Sequence, residues 1–126
     1  MSAFPLHSAI NNRSEKDIEL LLDLTNCNIE LKDQEGHTPL HWAVLNNFKP
    51  GVFALVNKGA EVNAIDNFED TPLIYALRYC HMELVEYLIR KGANVNWVAL
   101  RWTPLQALLA AGRPCEQGVK LLLDAG

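Results

Sequence analysis

The chain repeats itself at a fixed interval. Thr71-Pro72-Leu73-Ile74-Tyr75-Ala76 lies 33 residues after Thr38-Pro39-Leu40-His41-Trp42-Ala43 and 32 before Thr103-Pro104-Leu105-Gln106-Ala107-Leu108. A fainter copy, Phe4-Pro5-Leu6-His7-Ser8-Ala9, stands 34 residues ahead of Thr38. Gly59-Ala60-Glu61-Val62-Asn63 and Gly92-Ala93-Asn94-Val95-Asn96 are 33 apart. Each copy opens on helix-start chemistry. A threonine hydroxyl can accept an orphan N–H of the first turn. Proline follows at the position where its missing N–H costs nothing. The glycines mark stops, because the residue after a helix often turns left-handed.

Between start and stop the apolar residues fall at helical spacing. Leu73, Ala76 and Leu77 make one stripe, and Leu84, Val85, Leu88 and Ile89 a second. Helices of about ten residues are marginal alone. They bury their stripes only against neighbours, so the sequence predicts a row of helix pairs. The N-cap slot of the first pair holds Phe4, a poor cap, which leaves Ser2 to cap from further back. Ser14 with Asp17 reads as the start of the next helix, and Asn26 stands where later units have Gly.

A period near 33 carrying T-P-L-H-x-A resembles the ankyrin repeat. The resemblance covers nearly the whole chain. It implies an all-α solenoid of about four repeats, near 1–31, 32–63, 64–96 and 97–126, each a helix pair with a protruding hairpin-like loop. The loop Asp33-Gln34-Glu35-Gly36-His37 matches the family's D-x-x-G-x-T turn. Glu69 departs from it, standing where the turn glycine belongs, so that the 66–70 tip is expected to be strained or differently shaped. The fourth loop lacks both Asp and Gly. In the second unit Pro50 and Gly51 fall in the first turn of the second helix and predict the least stable interior helix.

Composition sets the remaining limits. The chain has 126 residues, 49% hydrophobic, which suits one globular domain. A net charge of −4 and scattered lysines argue against nucleic acid. No apolar run approaches membrane-spanning length, and no signal peptide is visible. Cys27, Cys80 and Cys115 form no C-x-x-C pair and read as reduced thiols in a cytoplasmic or nuclear protein.

No catalytic constellation is legible, and neither a cofactor nor a metal is implied. His37 and His41 are four apart, but Pro39 starts the helix between them, so they do not share a helix face. The resemblance assigns His41 to structure instead: the T-P-L-H histidine hydrogen-bonds the neighbouring loop backbone and the Thr hydroxyl. His7 holds the same slot, and Ile74 and Gln106 replace it later, which weakens the polar ladder between the third and fourth units.

The resemblance also implies a protein-binding scaffold, not an enzyme, with loop tips and first helices lining one concave side. The outward positions it assigns include Gln34, Glu35, His37, Trp42 and Asn46 in the second unit. In the third they include Phe68, Asp70, Tyr75, Arg78 and Tyr79, and in the fourth Leu100, Arg101 and Trp102. Aromatic residues and arginine dominate binding hot spots. For Trp42 and Tyr75 inter-repeat packing is the equal alternative, whereas Phe68 and Trp102 are expected at exposed tips. Asn63 and Asn96 resemble substrate positions of the asparaginyl hydroxylase of oxygen sensing; the alternative is that they brace the hairpin by bonds to backbone.

A closing repeat should carry a polar outer face. Leu121, Leu122 and Leu123 stand in a row instead, with Ala125-Gly126 after them. Either further repeats follow in a longer protein, or that face docks a partner or another copy.

Overall fold

The computed structural model describes residues 4–23, 28–110 and 116–125. Ser2, Asn26, Cys27 and Cys115 lie outside them. The elements are α1 (Pro5–Asn11), α2 (Glu15–Leu22), α3 (Pro39–Leu45), α4 (Lys49–Asn57), α5 (Pro72–Arg78), α6 (Met82–Arg90), α7 (Pro104–Leu109) and α8 (Glu116–Ala125). There is no strand among the described residues. The helices pack in pairs, α1 with α2, α3 with α4, α5 with α6 and α7 with α8. The first helices of the pairs form one row, each touching the next. In the other row α2 meets α4 and α6 meets α8. Between α4 and α6, Lys49 pairs with Glu83 at 2.7 Å and the Phe53 and Tyr87 rings lie 4.6 Å apart.

The helix starts follow the residues. Thr38, Thr71 and Thr103 accept the backbone N–H groups of His41, Ile74 and Gln106 at 3.3, 3.3 and 3.1 Å. Ser14 accepts from Asp17. Phe4 makes no side-chain cap bond. The second helices close at Gly59 and Gly92, with φ of 94° and 98°. The turns inside the pairs take the left-handed conformation at Arg13, Asn47 and Cys80.

The core is the seam between neighbouring pairs. Leu40, Val44, Leu55, Leu73, Leu77, Leu84 and Leu88 are sealed in it. Gly51 belongs to this seam for a reason beyond its helix propensity. A Cβ there would meet the Phe48 ring at 2.8 Å, so the glycine admits the ring that starts α4.

Glu69 settles the question of the third tip. It adopts φ 61°, close to the 82° of Gly36 in the preceding loop. Its N–H reaches Asp66 O at 3.0 Å, as that of Gly36 reaches Asp33 O. The tip keeps the turn and forces a side chain into it, at a cost of roughly 1–2 kcal/mol. Gly36 could not be so replaced, because its Cβ would lie 2.7 Å from Asn67 N of the next loop.

One expectation is corrected outright. Cys80 is disulfide-bonded, so the three cysteines are not all reduced thiols.

Candidate functional site: a row of braced loops

The loops are held from beneath by two carboxylates, Asp33 half-buried and Asp66 buried. Asp33 Oδ1 accepts the N–H groups of Glu35 and His37 at 3.0 and 2.9 Å, and its Oδ2 accepts the Trp42 indole N–H at 2.7 Å. Asp66 repeats the arrangement one unit on. Its Oδ1 accepts from Phe68 and Asp70 N–H, both at 2.9 Å, and its Oδ2 from the Tyr75 hydroxyl. The bond from carboxylate to aromatic donor spans nine residues in both cases. In the fourth unit carboxylate and donor disappear together: Ala99 and Ala107 hold their places, both buried.

His37 joins the two sets. Its Nε2 lies 3.2 Å from Asp66 Oδ2 and 3.3 Å from the Tyr75 hydroxyl, and its Nδ1 faces Asp33 and Glu35 at 3.6 Å. The hydrogen bond to Asp66 raises the His37 pKa against the effect of burial, helped by the charges of Asp33, Asp66 and Glu35. Burial pushes the Asp66 carboxyl up, but bonds from His37, Tyr75 and two backbone N–H groups outweigh it and hold the carboxyl well below its usual range. His41 is sealed. Burial takes its pKa down to about 4, and its neutral ring bridges Thr38 at Nδ1 and Asp70 O at Nε2, 2.8 Å away. His7 makes the matching bridge to His37 O at 2.9 Å.

Ile74 makes no such bridge, and the third and fourth loops are joined otherwise. Trp97 Nε1 donates to Glu69 O at 2.7 Å, Arg101 pairs with Asp70 at 2.5 Å, and Leu100 N–H reaches Phe68 O at 3.2 Å. The polar ladder therefore changes partners here instead of simply weakening.

These bonds decide which expected surface residues face solvent. Gln34, Glu35, Phe68, Tyr79, Leu100 and Arg101 are exposed, Phe68 by 40% and Leu100 by 70%. Trp42, Asn46 and Arg78 are half-buried. The expected exposure of His37, Asp70 and Tyr75 is corrected: all three are buried, because their polar atoms brace the loops from inside. Trp102 is not a free tip either. It is half-buried against the core with its indole nitrogen sealed, and the Arg78 guanidinium covers its ring at 5.3 Å. Asn63 braces as one alternative had it, its Nδ2 donating to Gly92 O at 3.1 Å and its Oδ1 accepting from Asn94 N–H at 2.8 Å. Asn96 is exposed.

What remains outward is two small groups on the third and fourth units. The Arg101 guanidinium lies 4.1 Å over the Phe68 ring, and Arg78 lies 5.3 Å over Tyr79. Leu100 stands beside Arg101. The sequence reading missed Asp33 and Asp66, although a signal existed: an Asp and a hydrogen-bonding aromatic nine residues apart, twice. Among the described residues no group of three or more His, Cys, Asp or Glu is placed to hold a metal ion. No helix of theirs is long and apolar enough to cross a membrane.

Stacked helix pairs with braced loops define a helical repeat protein. A family model described as ankyrin repeats, three copies, matches residues 2–66 and 51–126, and the chain belongs to the ankyrin repeat family. It is 32% identical over 126 residues to the B-cell lymphoma 3 protein homolog of Mus musculus, covering 96% of this chain and 28% of that protein. It is likewise 32% identical over 126 residues to Rabankyrin-5 of Mus musculus, covering 97% of this chain and 11% of that protein. A putative ankyrin repeat protein of Rickettsia bellii is 37% identical over 94 residues, 74% of this chain and 52% of the other. The chain thus spans about half the length of these relatives or less.

Proposed function

We propose that the chain is a protein-binding module that engages its partner through the tips of the third and fourth loops and the adjoining end of α5. The observation that carries this is the exposure of Phe68, Leu100, Arg101 and Tyr79. Large apolar side chains left in water on adjoining loops call for a partner, and aromatic and arginine side chains are the types that anchor protein interfaces. The surface is preformed. Phe68 and Arg101 sit on backbone fixed by Asp66 and by the Asp70 pair, so little side-chain and loop entropy is lost on association. Family membership supports the same class of function, ankyrin repeats being generally interaction modules.

Hydrogen exchange of the chain, alone and with a protein captured by it, tests the reading. Protection of amides at 67–70, 78–80 and 99–102 is the expected result. Protection confined to α2, α4 and α6 would place the contact on the opposite side and contradict it.

A further inference from the structure

A place that a side chain fills between the second and third units stands open between the first and second. In the later seam the His37 imidazole fills it. Its ring lies 5.7 Å from the rings of His41 and Tyr75, and its Nε2 is 3.2 Å from Asp66 Oδ2. His7, Trp42 and Asp33 hold the register of His41, Tyr75 and Asp66 one unit earlier, 34, 33 and 33 residues before them. The counterpart of His37, one residue ahead of the first start, is Ala3 in the sequence, a methyl group with nothing to donate. Phe4, His7, Asp33 and Trp42, with Ser8 and Asn11, line a cavity of about 190 Å³.

Two acceptors of this seam are left short of donors. Asp33 Oδ2 accepts the Trp42 indole N–H, and no second donor lies within hydrogen-bond distance of it among the described residues; His37 Nδ1 stands off at 3.6 Å. Lys32, next to Asp33 in sequence, donates to Ile65 O instead. The second acceptor is on His7, which is 4% exposed. Its Nε2 faces His37 O at 2.9 Å, and a carbonyl only accepts, so the ring proton sits on Nε2. Nδ1 of the neutral ring is then a bare lone pair. In His41 that atom meets the Thr38 N–H and hydroxyl at 3.1 and 2.9 Å. Phe4 stands in the place of Thr38 and has no hydroxyl, and His7 Nδ1 is sealed with no partner among the described residues.

We propose that this cavity between α1 and α3 takes the cationic end of a basic side chain, arginine or lysine, from a partner protein. The cation donates to Asp33 Oδ2, has the His7 lone pair as a second acceptor, and lies against the rings of Trp42 and Phe4. An anion is repelled by Asp33, and a neutral donor leaves its charge uncompensated in a partly desolvated cleft. Aromatic faces add to the attraction for a cation. The volume suits one side-chain end, since sites for whole small molecules run to about 300–1,000 Å³. The inference does not rest on the surface of the third and fourth loops, and either can fail without the other.

The test is NMR of the full 126-residue chain, read at the Trp42 indole N–H. Blocked pentapeptides, acetyl-Ala-Ala-X-Ala-Ala-amide, are titrated in with X as arginine, lysine, citrulline or norleucine. The arginine and lysine peptides should shift the indole signal and the amides of 7–11 saturably, with Kd on the order of millimolar. The neutral citrulline and norleucine peptides should not. Asn11 is exposed and lines the cavity, so its charge can be changed without touching the braces. Asn11→Lys should weaken binding of the arginine peptide, and Asn11→Glu tighten it, each by about two- to fivefold with the unfolding midpoint unchanged. No saturable shift, an equal shift from the citrulline peptide, or a Kd indifferent to both Asn11 variants overturns the proposal. So does free L-arginine binding more tightly than the arginine peptide, since the occupant is then a small molecule and not a protein side chain.

Discussion

The indole N–H of Trp42 donates to Asp33 Oδ2 at 2.7 Å, across nine residues, and so ties the first helix of its unit to the base of its own loop. Tyr75 and Asp66 do the same one unit later. Loop and helix therefore move as one body, which makes a loop tip a usable binding surface. Tyr75→Phe keeps its ring and deletes only the donor, whereas Trp42→Phe deletes the donor together with the pyrrole half of the indole. Tyr75→Phe should cost about 1–3 kcal/mol, because Asp66 is buried; the donor lost in Trp42→Phe should count for less, because Asp33 is half-buried, with the lost packing added to it. Urea unfolding measures both, and an equal, negligible loss would show that the braces do not hold the loops.

Glu69 carries strain that a glycine would remove. Glu69→Gly should stabilise the chain by about 1 kcal/mol, the relief of a left-handed side chain less the added freedom of the unfolded glycine. Gly36→Ala should do the reverse and by more, since its Cβ strikes Asn67. Thermal midpoints of the two variants should move in opposite directions.

The pH dependence follows from three groups. The His41 pKa is depressed to about 4, so the unfolded chain takes up a proton below about 6.5 that the folded chain refuses. Its share of stability is present above that pH and is lost as pH falls, by about 2 kcal/mol at pH 5. Asp66, also depressed, adds a loss at still lower pH, below the ordinary carboxylate range. His37 is raised, so its contribution is full below about 6.5 and fades as pH rises through its folded pKa. Urea unfolding between pH 7.5 and 5 should show the fall, and His41→Gln should flatten it.

Much of this was legible in the residues. The threonine-proline starts place α3, α5 and α7, and the glycine stops α4 and α6, because capping is local chemistry read from a few neighbours. Burial of side chains at the loops was not legible. Asp70 and Tyr75 look like surface residues, and only the arrival of Arg101 and Asp66 from elsewhere in the fold shows why they are inside. Glu69 was flagged but undecided, since a turn can keep its shape and bear strain or give up both. The disulfide at Cys80 had no spacing signal at all.

Gly51 weakens α4 as a helix while making room for Phe48. The amides of Val52–Val56 should exchange faster than those of Val85–Ile89 in α6, by native-state hydrogen exchange. Slower exchange in α4 would mean that the Phe48 packing outweighs the propensity loss.

The central claim is that Phe68 and its neighbours form the partner surface on a frame that does not need them for stability. The direct measurement is the Kd of a captured partner for the chain and for Phe68→Ala with Leu100→Ala. We expect at least about a tenfold weaker Kd, as for anchor residues worth 1–3 kcal/mol, with the unfolding midpoint unchanged. An unaltered Kd with the fold intact would contradict the account.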